Sequence, residues 1–432
     1  MAVKINKRSD YYMLNEKGIR ELAYTVLIDS IEPIEGSDNC EAAVVGGWRI
    51  MVRKGTFKMG DIAIYFEIDS KVPQLPEFEF LAKKHYAIKT QKYTFGGKGN
   101  FISQGLLMSL SDFPQYFEHS QDGWLYTHQA KPIKNSVEAI VDIHDGLTEL
   151  LGVTYSVAED NKRKASTDKY SKMRTRHQKL FKTNKIVQWL WKRDWGKKVL
   201  FFFLGTKKDK RGWPDWVVKT DEERCQNLPH LFPGDATKWI VTEKIDGSST
   251  TFTMRGHGRK REFYVCSRNV CFDTPEKAEH CYYDSNIYLE MAEKYHIKDA
   301  LAMIMDANKD LEFITLQGET YGDGIQKRTY GLKNGEHDFM AFNLIYKYKN
   351  EKTSVRLNPI ELNNSLPLYG IPCVPVIEKE YKLPETCEEL LQYAEGNSMI
   401  DGEMREGIVL RGRDGVASFK AVSNEFLLRY HS

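Results

Sequence analysis

The chain has 432 residues, 41% hydrophobic and 28% charged, with 31 Gly and 14 Pro. This is globular composition and excludes a collagenous or wholly disordered polymer. The length predicts about two or three domains, and no apolar run reaches the roughly 18 residues that a membrane span needs. Net charge is +2, yet between Asn161 and Arg211 there are 18 Lys and Arg against three acids, a local net of +15 that leaves the remainder at −13. A basic stretch inside an acidic protein is either a solvated arm or a surface for polyanions.

In chain order, the first eight residues, Met1 to Arg8, lack the apolar core of a secretory signal. Seven Cys are scattered from Cys40 to Cys387 without a disulfide framework. Both features predict a reducing compartment, cytoplasmic or, in a eukaryote, nuclear. From about Leu22 to Leu110 the pattern is β. Trp48, Ile50 and Val52 share one face of a run with Arg49 and Arg53 on the other. Ile62, Ile64, Phe66 and Ile68 alternate with Ala63, Tyr65, Glu67 and Asp69, which predicts a half-buried strand with a polar face. Short alternating strands joined by Gly-punctuated turns predict a small barrel of the OB type over residues 1–131.

Residues 132–211 form a mixed, basic insertion. Asn161 to Lys185 is highly polar, fitting a mobile arm or an exposed helix. Lysines and arginines here, among them Lys162, Arg163, Lys164, Arg174 and Arg176, are interleaved downstream with Trp189, Trp191 and Trp195. Phosphate contacts need cations and stacking on unpaired bases needs aromatic planes, so the interleaving points to a folded element that binds a polyanion. The apolar run Val199 to Leu204 predicts a buried strand or short core segment.

From residue 212 to 432 strand-type and helical runs alternate, predicting an α+β domain with its own core. Strand candidates are 238–243, 262–266, 313–317, 338–345, 407–410 and 417–422. Helical candidates are 285–305, 387–395 and 424–430. The sharpest local feature is Lys244-Ile245-Asp246-Gly247 at the end of an apolar strand. A lysine amine becomes a nucleophile when positive charge, a metal or desolvation lowers its pKa, and Asp246 is placed to hold such a metal through water. Five further signatures follow, each beside a β-type run: Cys266-Ser267-Arg268-Asn269, Gln317-Gly318-Glu319-Thr320-Tyr321-Gly322, Asp338-Phe339-Met340-Ala341-Phe342-Asn343, Arg405-Glu406-Gly407-Ile408-Val409-Leu410 and Ser418-Phe419-Lys420-Ala421-Val422. Taken singly each has a plainer reading: Phe342 as core, Arg268 and Glu319 as a surface ion pair, Glu406 as a solvated carboxylate.

Together, in this order, the six signatures resemble the covalent nucleotidyltransferase superfamily of ATP-dependent ligases and capping enzymes. The match is closest to ATP-dependent RNA ligases of the second and fifth types. Gly47 to Gly55, Gly60 to Tyr65 and Ser103 to Leu107 look like the OB module that precedes the catalytic domain in the fifth type, and Lys219 to Pro229 like that family's segment upstream of the nucleophile. The resemblance implies a fold of an OB-like β-barrel followed by a nucleotidyltransferase domain of antiparallel sheets with flanking helices. It implies that Lys244 attacks the α-phosphorus of ATP to form lysyl-AMP, that AMP passes to an RNA 5′-phosphate, and that a 3′-hydroxyl then seals the strand. Arg268 would contact phosphate or ribose, Glu319 the ribose hydroxyls, Phe342 the adenine and Lys420 the α-phosphate, with Glu243 also in the nucleotide pocket. Glu406 and Asp246 would hold Mg or Mn, largely through water. The expected partner is RNA with 3′-hydroxyl and 5′-phosphate ends, including nicked duplexes, handled in repair by a monomer away from membranes.

The chain departs from many relatives at Ser418, where a second lysine commonly stands, and at Asn343, where an acid often follows the stacking Phe. DNA ligases and mRNA guanylyltransferases share the lysyl-nucleotide step. They usually carry an OB domain after the last motif, whereas 12 residues follow Lys420 here. A non-catalytic nucleic-acid-binding protein would not need Lys244, Glu406 and Lys420 together. Cys266, Cys271, His280 and Cys281 match no compact zinc spacing.

Overall fold

The period-two pattern of the N-terminal region becomes strands in the computed structural model, which describes residues 20–95, 99–121, 123–130, 140–155, 178–204, 210–211, 213–219, 221–232, 237–272, 286–415 and 417–430. Ser30–Pro33, Cys40–Val45 and Trp48–Arg53 form one three-stranded antiparallel sheet; Ala23–Leu27, Ile62–Phe66 and Leu106–Ser109 form another. Trp48, Ile50 and Val52 are buried, as their alternation predicts. The second alternating run is a correction. Ala63, Ile64, Tyr65 and Phe66 are all buried, because the strand is central and separates two cores. Ile64 and Phe66 face the first, Ala63 and Tyr65 the second, and even Glu67 is 2% exposed. The first core also takes in Val141, Leu147, Leu151 and Val153.

Two antiparallel-dominated sheets build the C-terminal half. One has seven strands in the order Lys210–Arg211, Cys271–Phe272, Glu262–Ser267, Ser248–Arg255, Leu311–Gly322, His337–Tyr348, Val355–Arg356. The other has five, in the order Glu223–Arg224, Ser418–Val422, Gly407–Gly412, Lys238–Lys244, Val376–Lys382. Helices Ile287–Lys294 and Ile297–Ala307 pack Leu289, Met291, Ile297, Leu301 and Met305 onto the larger sheet. Helix Cys387–Ala394 packs Leu390 and Leu391 against the smaller one. The chain passes from the smaller sheet to the larger through Ile245, Asp246 and Gly247 alone. A further cluster, with Ile245, Tyr321, Tyr330 and Val374 at its centre, ties the crossing to the larger sheet through Tyr321, Met340 and Phe342.

Two further expectations are corrected. The single helix over 285–305 is two helices, turned at His296, whose backbone is left-handed (φ 48°); the turn lets both apolar faces reach the same sheet. Val199 to Leu204 is not a buried strand but the end of helix Asp194–Leu204, with Phe202 82% exposed. A six-residue apolar run does not distinguish strand from helix. Of the polar segment beginning at Asn161, residues 161–177, including Lys162, Arg163, Lys164, Arg174 and Arg176, lie outside the described residues; Gln178–Thr183 is helical.

The N-terminal sheets are seated on the C-terminal half. The Gly47 amide donates to the Gln226 carbonyl (2.7 Å), Trp48 Nε1 to Asn227 Oδ1 (2.7 Å) and Gln226 Nε2 to Gln104 Oε1 (3.1 Å). A Cβ at Gly47 would stand 2.6 Å from Gln226 Cα, so glycine is what permits this approach. Val422 and Leu427, near the C-terminus, complete the core around Trp48. Among the described residues no helix is long and apolar enough to cross a membrane.

Candidate active site

The strand Lys238–Lys244 runs antiparallel to Gly407–Gly412, with Lys244 opposite Gly407. Glu406, one residue earlier, therefore lies beside the amine, and Lys244 Nζ meets Glu406 Oε2 at 2.7 Å. Asp246 is buried two residues on, and Glu319 approaches from the larger sheet, where it pairs with Ser249. Burial works to lower the Lys244 pKa, but Glu406, Glu319 and Asp246 outweigh it and hold the amine above its ordinary value. Burial pushes the Glu319 carboxyl up to about 8, with Lys244 opposing and Glu406 and Asp246 adding to the rise. Asp246 is pushed to about 7, by burial and then by Glu406, against the pull of Lys244 and Arg328.

Three carboxyl groups thus crowd one ammonium, and the rise at Glu319 and Asp246 marks a shortage of positive charge that a hydrated divalent cation would meet. Among the described residues no three His, Cys, Asp or Glu are grouped as direct metal ligands.

Cations gather on the neighbouring strand. Lys420, on Ser418–Val422, pairs in register with Arg224 across a parallel ladder. Burial lowers its pKa to about 8; Asp221 opposes this, while Arg224 and Lys244 add to it. Asp221 links the predicted residues: its Oδ1 lies 3.3 Å from Lys420 Nζ and its Oδ2 3.2 Å from Arg268 Nη2. Burial works against this carboxylate, yet Lys420 and Arg268 hold it below its ordinary value. Arg268 remains half-exposed at the rim.

On the third side stands Phe342. The ladder between Leu311–Gly322 and His337–Tyr348 slips there, pairing Gln317 with Asn343 and Gly318 with Ala341, so Phe342 is the extra residue of a bulge. Bulges re-aim side chains, and this one sits in the cluster with Ile245, Tyr330, Val374 and Ile400. The Phe342 carbonyl accepts from Arg411 Nη1 (2.8 Å), whose Nη2 reaches Glu222 (3.1 Å). Glu243 is buried; its carboxyl pairs with the Ser398 side chain, its Oε2 accepts from the Met399 amide (2.8 Å), and its Oε1 has no hydrogen-bond partner among the described residues. Asn343 is occupied by Gln317 (3.0 Å).

A supporting network stands behind the nucleophile. Arg328 donates to both oxygens of Asp401 (2.8 Å each) and to the Met404 carbonyl (2.7 Å) and lies 4.0 Å from the Tyr330 ring centroid. Tyr330 Oη accepts from the Asp246 amide (2.7 Å). The structure therefore brings Lys244, Asp246, Glu319 and Glu406 together, joins Lys420 to Arg268 through Asp221, and sets Phe342 and Glu243 to one side. Asp221, Arg411, Arg328, Tyr330 and Asp401 escape sequence reading. Asp221 lies within the Lys219 to Pro229 segment, but nothing local marks the other four. Cys266 and Cys271 are buried cross-strand neighbours; His280 and Cys281 lie outside the described residues.

Residues 237–422 match the family described as RNA ligase, and residues 22–110 match a family of OB-fold domains. The whole fold is similar to Naegleria gruberi RNA ligase. A variant of that protein with ATP and Mn shares 25% identity at a TM-score of 0.64, over 95% of this chain and 99% of that chain. A variant with AMP and Mn gives the same identity, TM-score and coverage. The form with PPi is 25% identical at a TM-score of 0.62, over 96% and 99%. Among curated proteins none matches the chain by sequence.

Proposed function

We propose, from the match of residues 237–422 to the RNA ligase family, that the chain seals RNA by covalent transfer of adenylate through Lys244. The observation that carries this is the Lys244–Glu406 pair at 2.7 Å, set where the two sheets meet and flanked by Lys420 on one side and Phe342 on the other.

Attack on phosphorus needs the free amine. Glu406 Oε2 already accepts a hydrogen bond from Lys244 and is the acceptor in place for the departing proton. The amine then bonds to the α-phosphorus of ATP and pyrophosphate leaves. Phosphoryl transfer depends on positioning and on cationic stabilisation of the transferred group; Lys420 and Arg268 supply fixed positive charge. Phe342 offers a face to adenine, the free acceptor of Glu243 suits the adenine amine, and Glu319 suits the ribose hydroxyls. Mg or Mn, held through water by Asp246 and Glu406, would add positive charge that favours the neutral amine.

In the second and third steps AMP moves to a 5′-phosphate and a 3′-hydroxyl displaces it. Residues 1–131, 132–211 and 212–432 act as OB-like module, basic insertion and catalytic domain of a monomer that repairs broken RNA, nicked duplexes included.

The test is incubation with α-labelled ATP and Mn. Label is expected on the protein and absent in Lys244→Ala; labelling by GTP instead would replace this reading with a capping-type one. Sealing of a nicked duplex with a 5′-phosphate then tests the substrate.

A further inference from the structure

We propose that the helical module at residues 178–204 is a stacking platform for single-stranded RNA, which identifies the polyanion from the ligase reading and adds a binding site outside the catalytic pocket. The module is three helices, Gln178–Thr183, Lys185–Trp191 and Asp194–Leu204. Its inner faces close on Phe181, Val187 and Leu200. Gly196 lies so near the Leu190 backbone that a side chain would collide with it, so the hairpin is tightly built.

Apolar residues also cover the outer face. Ile186 is 69% exposed, Trp189 49%, Trp195 54% and Phe202 82%. Trp195, Val199 and Phe202 follow one another at i, i+4 and i+7 along one helical stripe. A helix apolar on both sides is one that something covers.

Charge selects the occupant. Seven Lys and Arg stand against one acid over residues 178–204, and Arg193 lies 3.8 Å from the Trp189 ring centroid while Trp195 meets that ring edge-on at 5.8 Å. One cation stacked on an aromatic ring, with six more Lys and Arg in the module, suits a strand whose phosphates and bases alternate.

The experiment compares the full chain with Trp189→Ala/Trp195→Ala/Phe202→Ala, measuring affinity for a 5′-phosphorylated single-stranded RNA across a salt series. Affinity is expected to fall by about tenfold for each stacked base lost, with the salt slope unchanged. Lys185→Gln/Lys192→Gln/Lys198→Gln should instead flatten the slope by about 0.7 for each phosphate contact removed. Trp189→Phe/Trp195→Phe keeps the aromatic faces and should keep most of the affinity, which separates stacking from misfolding. Undiminished RNA binding in the alanine variant overturns the proposal, as does aromatic-dependent binding to phosphatidylserine vesicles without aromatic-dependent RNA binding. Self-adenylylation should be unchanged in all three variants; its absence from the parent chain would sink the ligase reading while leaving the RNA measurement intact.

Discussion

Carboxylates surround the Lys244 amine and hold it protonated, so its attack on phosphorus has to become faster as pH rises. Glu406 is the largest contributor to that elevation. Glu406→Gln should therefore move the pH profile of self-adenylylation to lower pH while reducing its maximum, because the carboxylate expected to help hold metal is lost as well. Gel-based labelling from about pH 6 to 9.5 measures both, and a shift to higher pH would contradict the assignment. Glu319 and Asp246, at about 8 and about 7, bind protons in the folded state that the unfolded chain has already released. Their contribution to stability is full below the ordinary carboxylate range and disappears as pH rises through about 7 to 8. A divalent cation competes with those protons, so the rise in Tm that Mn produces should be larger at about pH 8.5 than at about pH 6. Equal rises at the two values would show that Asp246, the titrating member of the expected metal pair, does not hold the ion.

Among the elements, the bulge at Phe342 and the arginine that serves it form one unit. Arg411→Met would leave the Phe342 carbonyl without its donor and remove the 3.1 Å partner of Glu222. The expected cost is about 1–3 kcal/mol, seen as a lower Tm together with a higher KM for ATP in self-adenylylation; a lower Tm with KM unchanged would separate Arg411 from adenine. Arg328→Met removes one side of a buried bidentate pair and should cost about 3–5 kcal/mol. Sequence alone shows the strands and the signatures on them, because alternation and short motifs are local. It does not show Arg411 or Arg328, since the first acts on a carbonyl 69 residues away and the second on a carboxylate 73 away. The helix break at His296 is hidden for a related reason: the apolar period runs through it, and only the sheet beneath requires the turn.

At the scale of the whole molecule, the N-terminal sheets and the catalytic half share a junction at Gly47, Trp48, Gln226 and Asn227. Gly47→Ala would force a methyl against Gln226 Cα and should cost about 1–3 kcal/mol. If this junction also aligns Arg224 and Lys420, which pair in register just beyond it, the variant should adenylylate itself more slowly at temperatures where it remains folded. Differential scanning calorimetry and a labelling time course measure the two effects, and an unchanged Tm would mean that the junction yields without strain.

The succession of strand-borne motifs, the OB-type alternation in front of them and the basic insertion between are all carried by the order of residues, since period and motif depend on near neighbours. Tertiary structure alone decides that Glu406 faces Lys244, that Asp221 bridges Lys420 to Arg268, and that Phe342 turns out of its ladder. Each follows from strand register and from packing between segments far apart in the chain, which no local pattern encodes.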